Sequence, residues 1–418
     1  MKGYHDKKKG FGITYDDIYL VNGARTPFGK LCGTLGAISP TDLGIFATKA
    51  ALEKSGVEGA DIDQVMYANI GQSSVDTYFL PRHIGLYSGI PETIPAVLLQ
   101  RICGSGFETI IAGAEQIALG KAQTALCGGT ENMTLSPTAA FGNRMGYQLG
   151  KPGFVDMLWE ALNDTAAVPM GCTAENVAKQ YGITREDADR FAQQSIERYL
   201  AAKERGYFDE ELLKMNSTVF EANGLNPRKV FLPKKICDFN TDENVRPADP
   251  EIMTKLSPVF TKDGVQTAAN SSGIVDGAAS VVVAHGDFVK SRGLKPLARV
   301  AVAATSALDP SVMGLGPVPA IRLLLEIAGL SLADIGLIEI NEAFAAQFIG
   351  CERELGLNRD LCNVNGGAIA LGHPLAATGV RLSLTISREM NARHVRYGIA
   401  SACIGGGQGT AILFENVN

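Results

Sequence analysis

One internal near-repetition limits what this 418-residue chain can fold into. The segment ALEKSGVEGADIDQVMYANI, from Ala51, aligns without a gap on LLEIAGLSLADIGLIEINEA, from Leu324, and Leu52/Leu325, Glu53/Glu326, Gly56/Gly329, Ala60/Ala333, Asp61/Asp334 and Ile62/Ile335 coincide. Each copy reads as a helix stopped by glycine, a short loop and a strand. Upstream of the first, TDLGIFATKAALEKSG offers Thr41 as N-cap, apolar residues at helical spacing and Gly56 at the C-cap position. The same register sets RICGSG opposite HPLAATG, with Gly106 against Gly379 and Cys103 three positions from the residue facing His373. With a slightly larger offset, ALCGG ending at Gly129 meets ACIGGG ending at Gly407. The expectation is two related α/β halves about a pseudo-dyad, where equivalent loops converge and residues remote in sequence share a site. Chance likeness between two helix-turn-strand units, which are common, is the alternative.

The chain exceeds one ordinary core, consistent with two halves. A formal net charge of -6, with 20% charged residues, gives no global bias toward nucleic acid, and polyanion binding would need a local basic patch. The N-terminal MKGYHDKKKG is basic but runs into FGITYDDIYL without the apolar region of a secretory signal, and Asp6, Asp16 and Asp17 weigh against a transit peptide. No apolar run reaches membrane-spanning length, and the C-terminal ENVN carries no peroxisomal or lipidation signal. These features lead to the expectation of a cytoplasmic protein without membrane insertion. Eight cysteines with no CxxC pair read as free thiols, and five histidines, none at short spacing from a cysteine, leave a metal site without support. From about 135 to 267 the texture changes. FGNRMGYQLGKPGFVDMLW scatters Gly, Pro and Met, TREDADRFAQQSIERYLAAKERGYF reads as an amphipathic helix from near Thr184 to before Gly206, and NPRKVFLPKK and NTDENVRPADPE are rich in charge, Pro and Asn. This is an insertion of short elements and long loops within a first half spanning 1–290, followed by a second half spanning 291–418. Loops of such length are often binding loops.

Cys103 lies in LLQRICGSGFETIIAGAEQIALG. After it Phe107, Ile110, Ile111, Ala114, Ile117 and Ala118 recur at helical spacing and Gly120 stops the run, so Cys103 sits at or just before a helix N-terminus. Unpaired N–H groups there stabilise a thiolate or an oxyanion. On this segment alone, inert packing and a nucleophilic thiol are equal readings. NVNGGAIALGHPLAATG sets His373 after a glycine and before a proline, on a loop leading into the helix GVRLSLTISREM. Core filling explains it poorly, and a structural hydrogen bond to a nearby carbonyl is the alternative. IASACIGGGQGTAILF places Cys403 at the end of a strand-like run, before three glycines that let backbone N–H groups approach a ligand or simply make a tight turn. EINEAFAAQF adds Asn341, Glu342 and Phe344 after an alternating strand. Asn holds a water without changing charge, while Glu342 is either functional or an acceptor for neighbouring N–H groups.

Nine blocks then carry a resemblance: ARTPFGK from Ala24, ICGSGFETI around Cys103, CGGTENM from Cys127, PMGCTAENVA from Pro169, DGVQTAANSSGIVDGAAS from Asp263, GLGPVPA from Gly314, INEAFA from Ile340, NVNGGAIALGHPLAATG from Asn363 and SACIGGGQG from Ser401. In this order, over essentially the whole chain, they resemble the thiolases, and within them the 3-oxoacyl-CoA thiolases of fatty-acid degradation. The resemblance implies the thiolase fold, two similar mixed-sheet α/β halves layered αβαβα with a loop domain inserted in the first. It implies that Cys103 is the nucleophile that becomes acylated, that His373 takes its proton and that Cys403 is a second acid/base thiol. Asn341 matches the position that holds a water in one oxyanion hole beside His373, and the N–H groups of Cys103 and Gly405 match the other. CoA is implied as substrate, with no tightly bound cofactor and no metal. Arg246 matches a position near the adenine, for which a solvated loop charge is the alternative. Ser272 matches a pantetheine contact, and Met170, Ala268, Ala343 and Phe344 match apolar positions around that chain and the acyl group. A homodimer or homotetramer is implied, and an accessory subunit is left open.

The implied activity is thiolysis of a 3-oxoacyl-CoA by CoA through an acyl-cysteine, an acyltransferase reaction of β-oxidation. A thiol suits both roles because its pKa lies close to neutrality, and the enolate needs preorganised donors. Formation of acetoacetyl-CoA by an acetyl-CoA C-acetyltransferase is the alternative within the family. A decarboxylating ketoacyl synthase would have His or Asn in place of Cys403, and a non-catalytic acyl-CoA-binding subunit would not need all four of Cys103, His373, Asn341 and Cys403. Three departures from the family pattern, Gln100, Ala376 and Ala377, add bulk near the site and leave acyl preference open. Pro169 stands where acetoacetyl-specific relatives often have His, and Leu158 and Trp159 fall on a loop expected to border the acyl pocket. Together they favour acyl groups longer or bulkier than acetyl.

Overall fold

The structure, a computed structural model, describes residues 1–147, 149–150, 153–247 and 249–418. Gln148, Lys151, Pro152 and Ala248, which fall in the two irregular stretches expected of the insertion, lie outside the described residues. Nine strands define the frame: β1 (Ile18–Arg25), β2 (Gln64–Ala68), β3 (Ala96–Leu99), β4 (Thr124–Glu131), β5 (Val275–His285), β6 (Ala298–Ala307), β7 (Leu337–Ile340), β8 (Tyr397–Ile404) and β9 (Gln408–Glu415). They run in the order β7-β8-β9-β6-β1-β5-β4-β2-β3. Outward from the centre, β1-β5-β4-β2 and β6-β9-β8-β7 have the same directions, antiparallel, antiparallel, then parallel. The halves meet where β1 pairs briefly with β6. The near-repetition is therefore a structural duplication.

Local chemistry repeats with it. Helix α1 (Pro40–Ser55) ends at Gly56 with φ 66°, and α5 (Pro317–Ala328) ends at Gly329 with φ 67°, a left-handed cap that glycine adopts without strain. Each is followed by a capping box, Glu58 with Asp61 and Ser331 with Asp334. The N-cap of α1 is Ser39, whose side chain accepts from the Asp42 N–H, rather than the expected Thr41. Pro40 fits the first helical position, which moves the cap one residue before it.

Helices α2 (Ser105–Ala118) and α7 (Leu375–Arg393) form the middle layer. They share a core with Met66, Ala125, Val281 and Val283 of one half and Ala400, Ala402, Ile412 and Phe414 of the other. Helix α1 covers the outer face of the first half-sheet and α5 that of the second, giving the αβαβα layering. Where α2 crosses α7, a Cβ at Gly106 would lie 2.7 Å from the Ala376 carbonyl oxygen, and one at Gly379 would lie 2.3 Å from the Phe107 nitrogen. The two equivalent glycines thus face each other at the pseudo-dyad.

Between β4 and β5 the chain carries two short hairpin ladders and two substantial helices, α3 (Met170–Tyr181) and α4 (Arg185–Glu204), which join the outer core of the second half beside α6 (Ala345–Leu355). Thr184 caps α4 in a box with Asp187, as its sequence predicts. An N-terminal hairpin, Lys2–Asp6 with Gly10–Thr14, adds to the sheet through β6. All eight cysteines are free thiols. No described helix is long and apolar enough to cross a membrane.

Candidate active site

The duplication brings the start of α2, the start of α7 and the end of β8 to one place. Cys103, His373 and Cys403 line a single cavity of about 420 Å³. Cys103 lies just before α2, whose N-cap is Gly104, as its sequence predicts. It follows Ile102, a β-branched residue held at φ 43°, a strained conformation of the kind that clusters at functional turns. The backbone N–H groups of Gly405 and of Cys103 itself favour a thiolate, but full burial and the nearby Glu131 carboxylate work against it and leave the thiol pushed up to about 12. Cys403 is also buried, and its thiol is raised well above the usual value by burial and by the neighbouring Cys103.

His373 precedes α7 by two residues. Its Nδ1 lies 2.6 Å from Thr378 Oγ1, and that hydroxyl donates to the Pro374 carbonyl at 3.0 Å. Thr378 therefore accepts from Nδ1–H, and Nε2 keeps its lone pair. Asn341, placed by β7, sets its Nδ2 3.3 Å from that Nε2. Burial, with Arg381 as the lesser cause, lowers His373 to about 3. Burial thus favours the neutral form of both the thiol and the imidazole.

The other expected residues divide. Gly405 is buried at the turn after β8, so close to Met170 that a Cβ would lie 2.3 Å from its Cε. Met170, Ser272, Ala343 and Phe344 line the cavity, and the Ser272 N–H donates to the Ala343 carbonyl. Ala268 and Arg246 are exposed and do not line it. Leu158 and Trp159 border it as expected, with Asp156 capping their short helix. Met133, Leu162, Val259, Phe260, Met313 and Leu375 also belong to the apolar wall, and sequence reasoning did not single them out. Thr378 was also missed, although it stands in the same HPLAATG block as His373.

Glu342 resolves to a structural role. It accepts from Ser195 Oγ at 2.6 Å, Asn363 Nδ2 at 2.9 Å and the Ile369 N–H at 3.2 Å, joining α4 to the loop before His373. Ala376 and Ala377 are fully buried and do not line the cavity; Ala376 packs beside Cys103 and Met133, and Ala377 enters the middle-layer core. Their methyl groups therefore do not narrow the substrate space. Gln100 is exposed outside it.

Comparison with known proteins bears on this geometry. The family model for "Thiolase, N-terminal domain" matches residues 18–287 and that for "Thiolase, C-terminal domain" matches 294–416. The mitochondrial 3-ketoacyl-CoA thiolase of Homo sapiens is 44% identical over 402 residues, 96% of this chain and 98% of its own. The acetyl-CoA acetyltransferase of Escherichia coli (strain K12) is 40% identical over 403 residues, 96% and 99%. The crystal structure of human mitochondrial 3-ketoacyl-CoA thiolase in complex with CoA superposes with a TM-score of 0.90 at 43% identity, covering 96% of this chain and 98% of that one. The expected cytoplasmic location is corrected by these relatives: the 3-ketoacyl-CoA thiolases that match at 43–44% identity are mitochondrial proteins. An N-terminal reading for charge and apolar runs is a weak guide to compartment.

Proposed function

The chain belongs to the thiolase family of acyltransferases, and we propose that it cleaves 3-oxoacyl-CoA esters with CoA by way of an acyl group on Cys103. The observation that carries this reading is the convergence of Cys103, His373 and Cys403 on one apolar-walled cavity. In the proposed cycle the Cys103 thiol gives its proton to His373 Nε2 and attacks the 3-oxo carbonyl. The carbon-carbon bond then breaks, and Cys403 protonates the departing enolate to give acetyl-CoA. A second CoA thiol, losing its proton to Cys403, displaces the acyl group from Cys103 as a shortened acyl-CoA, and the released Cys103 thiolate takes its proton back from His373. The Gly405 and Cys103 N–H groups serve one oxyanion, and a water on Asn341 with His373 serves the other. These steps need no metal or redox group, and CoA enters as substrate.

Met170, Ala343, Phe344 and Ser272 are proposed to hold the pantetheine and acyl portions. Arg246 and Ala268, exposed outside the cavity, are assigned to the outer part of the CoA path. The division at about residue 290 is proposed as the boundary between halves, with the chain between β4 and β5 as the inserted domain. For assembly we propose a homodimer or homotetramer. The free side of β3 supports it, because this edge strand pairs on one side only among the described residues and exposes Val97.

CoA-dependent cleavage of a panel of 3-oxoacyl-CoA esters tests the proposal, with intact-mass detection of the acyl adduct. Medium-length, branched or aryl substrates should give higher kcat/KM than acetoacetyl-CoA, rising several-fold per buried carbon, on the order of 0.8 kcal/mol each. Cys103→Ser should bind acyl-CoA without forming an adduct. A preference for acetoacetyl-CoA favours the acetyltransferase reading, and an adduct persisting in Cys103→Ser refutes the nucleophile.

A further inference from the structure

The N-terminal hairpin lies before Ile18, where the thiolase match begins, yet it reaches the turn that carries Cys103. Its strand Gly10–Thr14 is built into the sheet: Phe11 pairs with Thr305, and a Cβ at Gly12 would lie 2.5 Å from the Ile327 side chain and 2.7 Å from the Ala303 carbonyl oxygen. From it the Phe11 ring faces the Arg101 guanidinium, with the carbon at its centre 5.8 Å from the ring centroid.

Arg101 joins both parts of the site. Its backbone N–H donates to Ser105 Oγ at 2.7 Å and its carbonyl accepts from the Gly104 N–H at 2.9 Å, which closes the turn around Cys103. Its Nε donates to Glu108 Oε2 at 2.7 Å, in the first turn of α2. Its Nη1 lies 3.4 Å from Gln408 Oε1, the residue that opens β9 directly after the glycine turn holding Gly405. The two turns are in contact elsewhere too, since a Cβ at Gly104 would lie 2.4 Å from Ile404 Cδ1.

We propose that Phe11, Arg101 and Gln408 form a strap that sets the Cys103 turn of the first half against the Gly405 turn of the second. None of the three lines the cavity, so they are positioning residues. Glu108 neutralises the guanidinium and holds it through Nε. Phe11 covers its face, and Gln408 ties the far end to the glycine turn. The strap acts on the spacing between the Cys103 thiol and the Gly405 N–H, which is the contact that favours the thiolate and receives the first oxyanion. This inference rests on the proposed role of Cys103.

Three variants test it in the full-length protein: Phe11→Ala, Phe11→Tyr and Gln408→Leu. Phe11→Ala should lower kcat about two- to five-fold, the kinetic equivalent of one exposed cation–π contact, with KM for CoA unchanged. Gln408→Leu should lower kcat by at least as much and move the midpoint of the pH profile for Cys103 alkylation by iodoacetamide upward. Phe11→Tyr, which keeps the ring, should restore the parental kcat. Parental kcat in both Phe11→Ala and Gln408→Leu overturns the strap, as does a loss of activity that only follows a loss of folded protein in thermal melts with an unmoved alkylation midpoint. Failure of the underlying chemistry is read separately, because Cys103→Ser would then still form the acyl adduct.

Discussion

Cys103 and Cys403 are both buried thiols with raised pKa values, and both share one cavity with His373. Thr378 fixes His373 with Nδ1–H turned inward and the Nε2 lone pair turned toward Asn341. Cys403 sits on β8 with Cys103 as its electrostatic neighbour, and in the proposed cycle it moves a proton on substrate carbon and sulfur. Cys403→Ala should therefore still allow slow acyl transfer onto Cys103, seen by intact mass, while thiolysis falls about 10²- to 10⁴-fold, the usual worth of a positioned acid/base. Cleavage at the parental rate would remove Cys403 from the mechanism. The types of these residues were legible because thiol, imidazole and amide stand in glycine-rich turns beside apolar runs. Which nitrogen of His373 carries the proton was not, because it depends on a hydroxyl whose proton is committed to the Pro374 carbonyl.

Helices α2 and α7 place Cys103 and His373 at their N-terminal ends, and their crossing decides how closely those ends approach. Both equivalent positions at the crossing are glycine, and an added Cβ would meet backbone rather than the movable end of a side chain. Gly106→Ala should destabilise the protein by about 1–3 kcal/mol or more through overpacking, and Gly379→Ala should do the same. Because both methyls would strain one crossing, the double variant should fall short of the sum. Denaturant midpoints at constant m measure this, and stability equal to the parent for either single variant contradicts the close approach. The Gly106/Gly379 correspondence was visible in the aligned segments. Its spatial meaning was not, since equal register says that two elements are alike and says nothing of whether they touch.

The whole molecule buries charge along the seam where the halves and the insertion meet. Arg25 on β1 is fully buried and bonds Glu211 Oε1 and both Asp242 oxygens, tying the insertion to the first half. Deeper in the second half, Glu339 lies 3.5 Å from Arg381, and its Oε2 has no hydrogen-bond partner among the described residues. Burial outweighs that attraction, and with Glu342, Glu389 and Glu211 nearby its carboxyl is pushed from 4.5 to about 8. The folded chain thus keeps a proton that the unfolded chain releases, so this contribution to stability is complete below pH 4.5 and is lost as pH rises through about 8. Glu339→Gln, fixed in the neutral form, should flatten the decline of Tm between about pH 5 and about pH 8, a change on the order of a few °C. Equal slopes in parent and variant would assign the decline to other groups.

By itself the sequence determined the repeated helix, glycine cap, capping box and strand, because each is written in residues close together in the chain. It also determined the thiol, imidazole and amide set, since those residue types stand in short, distinctive turns. The tertiary structure alone decided that Glu342 is a structural acceptor, that Ala376 and Ala377 turn into the core, that Arg246 and Ala268 stand outside the cavity, and that Phe11 reaches Arg101. Each of these depends on contacts between residues far apart in sequence, whose distances are set by how the layers pack and not by the local conformational preferences that periodicity and capping report.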